Sequence, residues 1–205
     1  MPASSSFAIR GARGFSLIEL ITVMTIIGII IGICVPSYKY VTNSNRVSAE
    51  VNQLLGDLQF ARSEAIKEGT TISVCPSSTA ATSSPSCTGL TTWNVGWMVF
   101  ADVNGDGIFT SGADQVLRIQ APFTSTDTFV SSDNTVKAIT FNREGFTLSI
   151  PSGDNNAVTV GTNTTYTGLL VKLNTATSTQ QWERCLEISF AGIMQTLHGG
   201  TSPCT

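Results

Sequence analysis

Histidine is nearly absent from this chain of 205 residues, and no Cys-x-x-Cys pair occurs among its five cysteines. The single histidine, His198, lies in a glycine-rich segment near the C-terminus, with no obvious catalytic partner. Zinc sites need closely spaced cysteine or histidine ligands, and the G-x-S-x-G motif of many hydrolases is also missing. We therefore expect no metal, no other cofactor and no enzymatic activity.

Charge is scarce as well. Charged residues make up 12% of the chain, and 11 Lys and Arg stand against 14 Asp and Glu. Without Arg10 and Arg13, which precede Gly14, nine basic residues remain and the side-chain balance becomes −5. A general nucleic-acid surface needs clustered positive charge, so none is expected. Abundant Ser, Thr, Asn and Gly instead suit an extracytoplasmic β-rich domain with many turns.

One long apolar run dominates the N-terminal region. From Phe15 to Val35 the chain has 21 residues with a single charge, Glu19, and Pro36 closes the run. As a helix this run would be about 31 Å long, close to the thickness of a bilayer core. A carboxylate at the bilayer centre costs about 2.5–3.5 kcal/mol, so Glu19 should have a partner. Cleavage after Gly14 would create an α-amine on Phe15, a counter-ion for the carboxylate of a neighbouring subunit.

The stretch Gly-Phe-Ser-Leu-Ile-Glu-Leu at residues 14–20 resembles the class III signal of type IV pilins and type II secretion pseudopilins. The resemblance implies cleavage between Gly14 and Phe15 by a prepilin peptidase, followed by N-methylation of Phe15. It also implies that Glu19 guides the subunit into a filament and that Pro36 kinks the helix. An ordinary signal anchor, in which Glu19 is incidental, is the alternative.

Beyond Pro36 the apolar residues continue at helical spacing. One helix is predicted from Phe15 to Lys67, with Gly69 ending it. Strand-like patterns follow. The predicted strands are Thr70–Cys75, Trp93–Ala101, Gln115–Gln120, Val136–Phe141, Phe146–Ile150, Ala157–Val160, Tyr166–Leu173, Arg184–Phe190 and Ile193–Leu197.

Three further motifs resemble the pseudopilin H and minor pilin (GspH/FimT/FimU-like) family. They are Leu58–Gly69 with a strand ending at Cys75, Gly96–Asp102 followed by Asn-Gly-Asp-Gly at 104–107, and Phe-Asn-Arg-Glu-Gly at 141–145. The resemblance implies an α+β fold, in which the long N-terminal pilin helix packs on a globular domain of two antiparallel β-sheets. The expected organisation is a leader at 1–14, a transmembrane and assembly half-helix at 15–35, an amphipathic half-helix at 36–68 and a periplasmic domain at 70–205.

Four of the five cysteines fall into two local pairs, Cys75 with Cys87 and Cys185 with Cys204. Two disulfides are the simplest pairing in an oxidising periplasm, although four cysteines allow three connectivities. Cys34 lies inside the apolar run as a small apolar group.

Two local patterns allow more than one interpretation. Asp102 to Thr110 resembles half of a calcium loop, but position twelve is Ala113, and a tight hairpin turn is favoured. Arg62, Glu64, Lys67 and Glu68 cluster at the helix end. A solvated helix face is favoured there over a subunit contact.

The C-terminal segment separates the candidate functions. Members of the family that bind DNA resemble Gly-Arg-x-Arg there, whereas this chain has Gly192, Ile193, Met194 and Gln195. Without the arginines, DNA is an unlikely partner. The sequence predicts a minor pilin that helps to initiate type IV pilus assembly, in a tip complex with other minor pilins. A type II secretion pseudopilin and a DNA-binding minor pilin for transformation are the alternatives.

The resemblance also implies partners and a location. The expected partners are other minor and major pilins, the prepilin peptidase, the inner-membrane assembly platform and inner-membrane lipid. The expected location is the inner membrane, with one membrane pass and a periplasmic C-terminal domain, and later the pilus or pseudopilus.

Overall fold

A computed structural model describes residues 14–123, 127–131, 136–148, 168–174 and 183–199, without the side chains of Pro36 and residues 168–174. The chain forms two compact units, one up to Thr42 and one from Asn43 onward. Residues 1–13 of the predicted leader and the predicted strand Ala157–Val160 lie outside the described residues.

The first element is helix α1, Leu17–Glu68, close to the predicted bounds of Phe15 and Lys67. The helix ends because Gly69 adopts a φ of +66°, and its N–H donates to the carbonyl of Ala65 at 3.0 Å. Glycine reaches this left-handed conformation without steric cost. The helix runs through Pro36, and the kink predicted there stays a prediction.

Within the second unit, α1 buries one face and exposes the other. The buried residues recur every three or four positions, as the apolar pattern predicted. They are Val47, Val51, Leu54, Leu58, Ala61 and Ala65. This face shares one hydrophobic core with strand residues that include Trp97, Phe100 and Phe141.

Eight strands form two four-stranded sheets in the described part of the chain, and every pairing is antiparallel. The first sheet has the order β3-β2-β1-β5 and the second has the order β4-β6-β7-β8. The strands are β1 Ile72–Pro76, β2 Trp97–Ala101, β3 Gln115–Gln120, β4 Thr128–Ser131, β5 Ile139–Phe141, β6 Gly168–Asn174, β7 Arg184–Ser189 and β8 Met194–His198. The predicted helix packed on two antiparallel sheets is therefore confirmed.

Two strand predictions need correction. The strand predicted from Trp93 begins only at Trp97, because Gly96 turns the chain with a φ of +92° and donates its N–H to the Trp93 carbonyl. A Cβ on Gly96 would lie 2.5 Å from the Gln120 carbonyl oxygen, so the turn requires glycine. Of the predicted strand Phe146–Ile150, residues 146–148 form no strand and have a single bridge, between Thr147 and Phe141, while residues 149–150 lie outside the described part of the chain.

Candidate functional site

The start of α1 places Glu19 in a defined position. The Glu19 backbone N–H donates to the Ser16 carbonyl at 3.1 Å and to its Oγ at 3.3 Å, so Ser16 caps the helix. Serine at the cap followed by Glu three residues later is the capping-box spacing. The carboxylate lies in the first turn, where the helix dipole favours negative charge. Gly14 and Phe15 precede the helix and are exposed, so the predicted cleavage bond lies in non-helical chain.

In the described part of the chain, the large side chains of the apolar run are exposed from Phe15 to Val35. One stretch of the helix is long and apolar enough to span a membrane. The hydroxyls of Thr22 and Thr25 donate to helix carbonyls at 2.9 and 3.0 Å. These hydroxyls therefore have acceptors within the helix, as a lipid environment requires.

A disulfide joins Cys75 of β1 to Cys87, with their Cα atoms 5.6 Å apart. It holds the Ser/Thr-rich loop after β1, and the Thr88 N–H donates to the Pro76 carbonyl at 2.8 Å. Cys185 of β7 is also disulfide-bonded, while its predicted partner, Cys204, lies outside the described residues. Cys34 is free and exposed.

The predicted tight turn after β2 is instead a longer loop organised by two carboxylates. Asp102 is buried and accepts from the N–H groups of Gly105 and Gly107 at 2.7 and 2.8 Å, and from Ser73 Oγ at 2.7 Å. Asp114 accepts from the backbone of Val103 and Thr110. Both Asp102 oxygens therefore accept from the loop backbone, and Oδ2 also accepts from β1.

Burial raises the pKa of Asp102 above the ordinary aspartate value, because the charged form loses solvation. The hydrogen bonds from Ser73, Gly107 and Gly105 favour the charged form and offset part of that increase. The carboxylate acts here as a structural acceptor.

A second buried carboxylate, Asp57, fastens α1 to the first sheet. Its oxygens accept from Trp97 Nε1 at 2.9 Å and from the Arg118 guanidinium at 3.3 Å. The Arg118 guanidinium carbon also lies 3.6 Å from the centre of the Phe60 ring. A further ion pair joins Arg46 to buried Asp127 at 2.7 Å. These contacts fix the sheets against the helix.

At the C-terminal end of α1 the contact is made by Arg62, so this residue does not belong to the solvated face predicted for the helix-end cluster. The subunit contact considered for the cluster stays a prediction. Arg62 Nε donates to the Gly145 carbonyl at 2.9 Å, and Nη2 donates to the Ala191 carbonyl at 3.1 Å. Arg62 is half-buried and joins the helix to two turns, one after β5 and one between β7 and β8. Lys67 pairs with Glu64 and Glu68, and the exposed side chains of Lys67 and Glu68 form the expected solvated face.

Glycine permits this close approach at both turns. Gly145 and Gly192 have φ values of +81° and +71°. A Cβ on Gly192 would lie 2.3 Å from the Gly145 carbonyl and 2.9 Å from Arg62 Nε. We call this group, consisting of Arg62, Gly145 and Gly192, the Arg62 corner.

Apolar side chains surround the Arg62 corner and face solvent. The exposed fractions are 52% for Ile66, 41% for Phe146, 56% for Phe190 and 63% for Ile193. The Phe146 and Phe190 rings stack with their centres 5.9 Å apart. We call these four residues the corner patch. Next to it is an open cavity of about 490 Å³, lined by Gln59, Arg62, Ser63, Ile66, Gly192, Ile193 and Met194.

The capped apolar helix and its two-sheet domain define a pilin-like subunit. The profile described as type II transport protein GspH matches residues 50–192, and the prokaryotic N-terminal methylation motif matches residues 9–35. Since the first match covers well over half of the chain, the protein belongs to the GspH family, which contains minor pilins and pseudopilins.

Two relatives are informative. The type II secretion system protein H of Pseudomonas aeruginosa PAO1 is 39% identical over 57 residues, which is 28% of this chain and 33% of that protein. The matched stretch thus spans a third of that relative. The crystal structure of the P. aeruginosa PAO1 type IV minor pilin FimU aligns with a TM-score of 0.51 and 21% identity. That alignment covers 78% of this chain and 96% of FimU, and it supports the shared fold.

Proposed function

We propose that this protein is a minor pilin of a type IV pilus. In this proposal a prepilin peptidase cleaves after Gly14 and Phe15 is methylated. The apolar helix then anchors the subunit in the inner membrane until the subunit joins other minor and major pilins in a tip complex. The observation that carries a pilin-type subunit is the capped helix start, which follows Gly14 and Phe15 and has Glu19 in its first turn. The fold shared with the type IV minor pilin FimU supports the choice of the pilus.

Glu19 has a physical reason to act between subunits. A carboxylate in an apolar environment is stabilised most by a positive partner, and the described apolar run contains no cation before Lys39. The Phe15 amine of a neighbouring subunit supplies a positive charge even after methylation. Pairing of the two groups would set the axial position of one subunit against the next and would remove the cost of burying either charge.

The domain after the helix has the features of a periplasmic module. The Cys75–Cys87 disulfide is typical of an oxidising compartment. We propose a structural role for this domain and no catalytic one, because its buried carboxylates Asp57 and Asp102 are engaged in holding the fold.

A type II secretion pseudopilin is the second candidate function. It is favoured by the family description and by the similarity to the type II secretion protein H. Both functions use the same helix start and the same membrane anchor, so the physiological readout has to separate them.

A deletion strain complemented with wild type, Glu19→Ala or Glu68→Ala tests both candidates. Glu68 is the matched control, because it is an exposed carboxylate on the same helix, outside the apolar run. Surface pili, twitching and exoprotein secretion are scored in each strain. We expect pili and twitching to be lost in the deletion and Glu19→Ala strains only. Loss of secretion alone would assign the chain to the pseudopilus. Normal pili that contain the Glu19→Ala subunit would contradict the role of Glu19 in assembly.

A further inference from the structure

The corner patch is an apolar surface around Arg62, which hydrogen bonds hold in place. Ile66 comes from α1, Phe146 from the turn after β5, and Phe190 and Ile193 from the turn between β7 and β8. Three separate chain segments therefore converge on one exposed surface, and Arg62 fixes them by hydrogen bonds to two of the turns. A clustered, rigidly held set of large apolar side chains is typical of a protein contact.

The charge at the centre of this surface is not neutralised by an acid. The two acceptors of Arg62 are neutral carbonyls, and no described carboxylate lies within 4.0 Å of its guanidinium. A guanidinium has five N–H donors, so two carbonyls leave donors available to a further acceptor. Arg62 also lines the open cavity beside Ile66 and Ile193. The site thus combines a positive charge with an apolar rim.

We propose that the corner patch docks a second pilin-family subunit, which presents an apolar segment carrying a carboxylate to Arg62. The inference rests on the proposed function, since it names the surface through which this subunit meets its neighbour. Charge complementarity favours a carboxylate, which accepts from a guanidinium through two oxygens. The exposed Ile193 and the stacked phenylalanines favour a protein over a nucleic acid, whose phosphates need several cations.

Site-specific photocrosslinking in the producing strain tests the docking surface. A benzophenone amino acid replaces Ile193 in one full-length variant and Val103 in another. Val103 is the matched control, because it is 71% exposed but lies on the loop between β2 and β3. We expect an adduct from position 193 only, and peptide mass spectrometry should assign it to a chain that carries an N-terminal methylation signal. An adduct with DNA, an adduct with a protein lacking that signal, or equal adducts at both positions would overturn the proposal.

A charge variant tests the role of Arg62 without removing its structural hydrogen bonds. Gln59→Glu places a carboxylate in the cavity one helical turn from Arg62, where it can pair with the guanidinium. Gln53→Glu adds the same charge at another exposed helix position. We expect the position-193 adduct to fall roughly tenfold in Gln59→Glu, the size expected for the loss of one charge-assisted hydrogen bond. Equal yields of the position-193 adduct in Gln59→Glu and Gln53→Glu would contradict the proposal that the partner presents a carboxylate to Arg62.

The outcomes are separable from those of the Glu19 experiment. If Glu19→Ala abolishes pili but position 193 gives no pilin adduct, the docking surface is wrong and the proposed function stands. If position 193 crosslinks to a subunit needed for secretion while pili remain normal, the docking surface stands and the pilus assignment is wrong.

Discussion

Arg62 connects segments that are far apart in the sequence, and the two glycines it approaches are as important as the arginine. Gly192 has a positive φ and leaves no room for a methyl group beside the Gly145 carbonyl. A left-handed conformation costs about 1–2 kcal/mol for a residue that has a Cβ atom, and glycine adopts it without that cost. The corner therefore depends on backbone positions that only glycine fits.

Gly192→Ala should lower the free energy of unfolding by about 2–4 kcal/mol, because backbone strain adds to a displaced hydrogen bond. Gly112 has a φ of +88° and nothing within 4 Å of a Cβ placed there, so Gly112→Ala introduces backbone strain without a steric clash. This control should lower the free energy of unfolding by about 1 kcal/mol. Gly56→Ala, in open space on α1, should stabilise by about 0.5–1 kcal/mol. Denaturant unfolding of the full-length chain in detergent gives all three values, and equal losses for Gly192 and Gly112 would refute the close approach.

Asp102 gives a prediction about pH. Its pKa is raised in the folded state, so between the ordinary aspartate pKa and the raised value the folded chain binds more protons than the unfolded chain. The stability that Asp102 contributes in its protonated form is present below the ordinary pKa and is lost as pH rises through the folded pKa. In Asp102→Asn this pH-dependent contribution is absent.

The stability difference between wild type and Asp102→Asn should therefore be largest below the ordinary aspartate pKa and should narrow as pH rises through the raised pKa of the folded state. Unfolding free energies of the full-length chain across that range measure the difference. Glu68→Gln, at an exposed carboxylate on α1 outside this loop, controls for the general effect of removing a charge. A difference that widens with pH would show that the hydrogen bonds from Ser73, Gly105 and Gly107 outweigh burial.

At the scale of elements, the sequence predicted what depends on periodicity. The helix, strand β3 and the ends of β7 follow from apolar spacing, and the N-terminal signal located Glu19. Strand β4 was missed because Thr128–Ser131 is four residues long and has polar residues at both ends. The Arg62 corner was missed for another reason. Its partners are carbonyls, which any residue provides, and only the glycines at 145 and 192 gave a signal.

The loop after β1 is closed by a disulfide. Residues 81–84 of this loop are exposed, and the bond between Cys75 and Cys87 spans 12 positions. Cys87→Ala should lower the free energy of unfolding by about 3 kcal/mol in the chain-entropy account of disulfides. Cys34→Ala, which removes the free cysteine, should leave the second unit unchanged. Thermal unfolding with and without reductant checks both, and a Cys87→Ala chain as stable as the oxidised wild type would contradict the prediction.

At the scale of the whole molecule, two features argue against DNA binding. They are the net negative charge and the residues at the turn between β7 and β8. Ile193 is exposed and apolar, and the amide of Gln195 donates to Glu187 across the two strands. A phosphate approaching this turn would therefore meet the Glu187 carboxylate, which lies beside Gln195. The net charge of −3 adds a weaker, longer-range repulsion.

Gel shifts of the full-length chain in detergent at low salt should accordingly show no DNA binding for wild type. The triple variant Ile193→Arg, Gln195→Arg, Glu187→Gln should bind, because two guanidiniums then face solvent without a competing acid. The slope of log K against log salt should be about −0.7 to −0.9 for each phosphate contacted. Ile193→Arg with Gln195→Arg alone should bind more weakly, since Glu187 can pair with the new arginine. Salt-sensitive binding by the wild type would mean that other cations of the domain reach the phosphates, and DNA would then have to be restored among its partners.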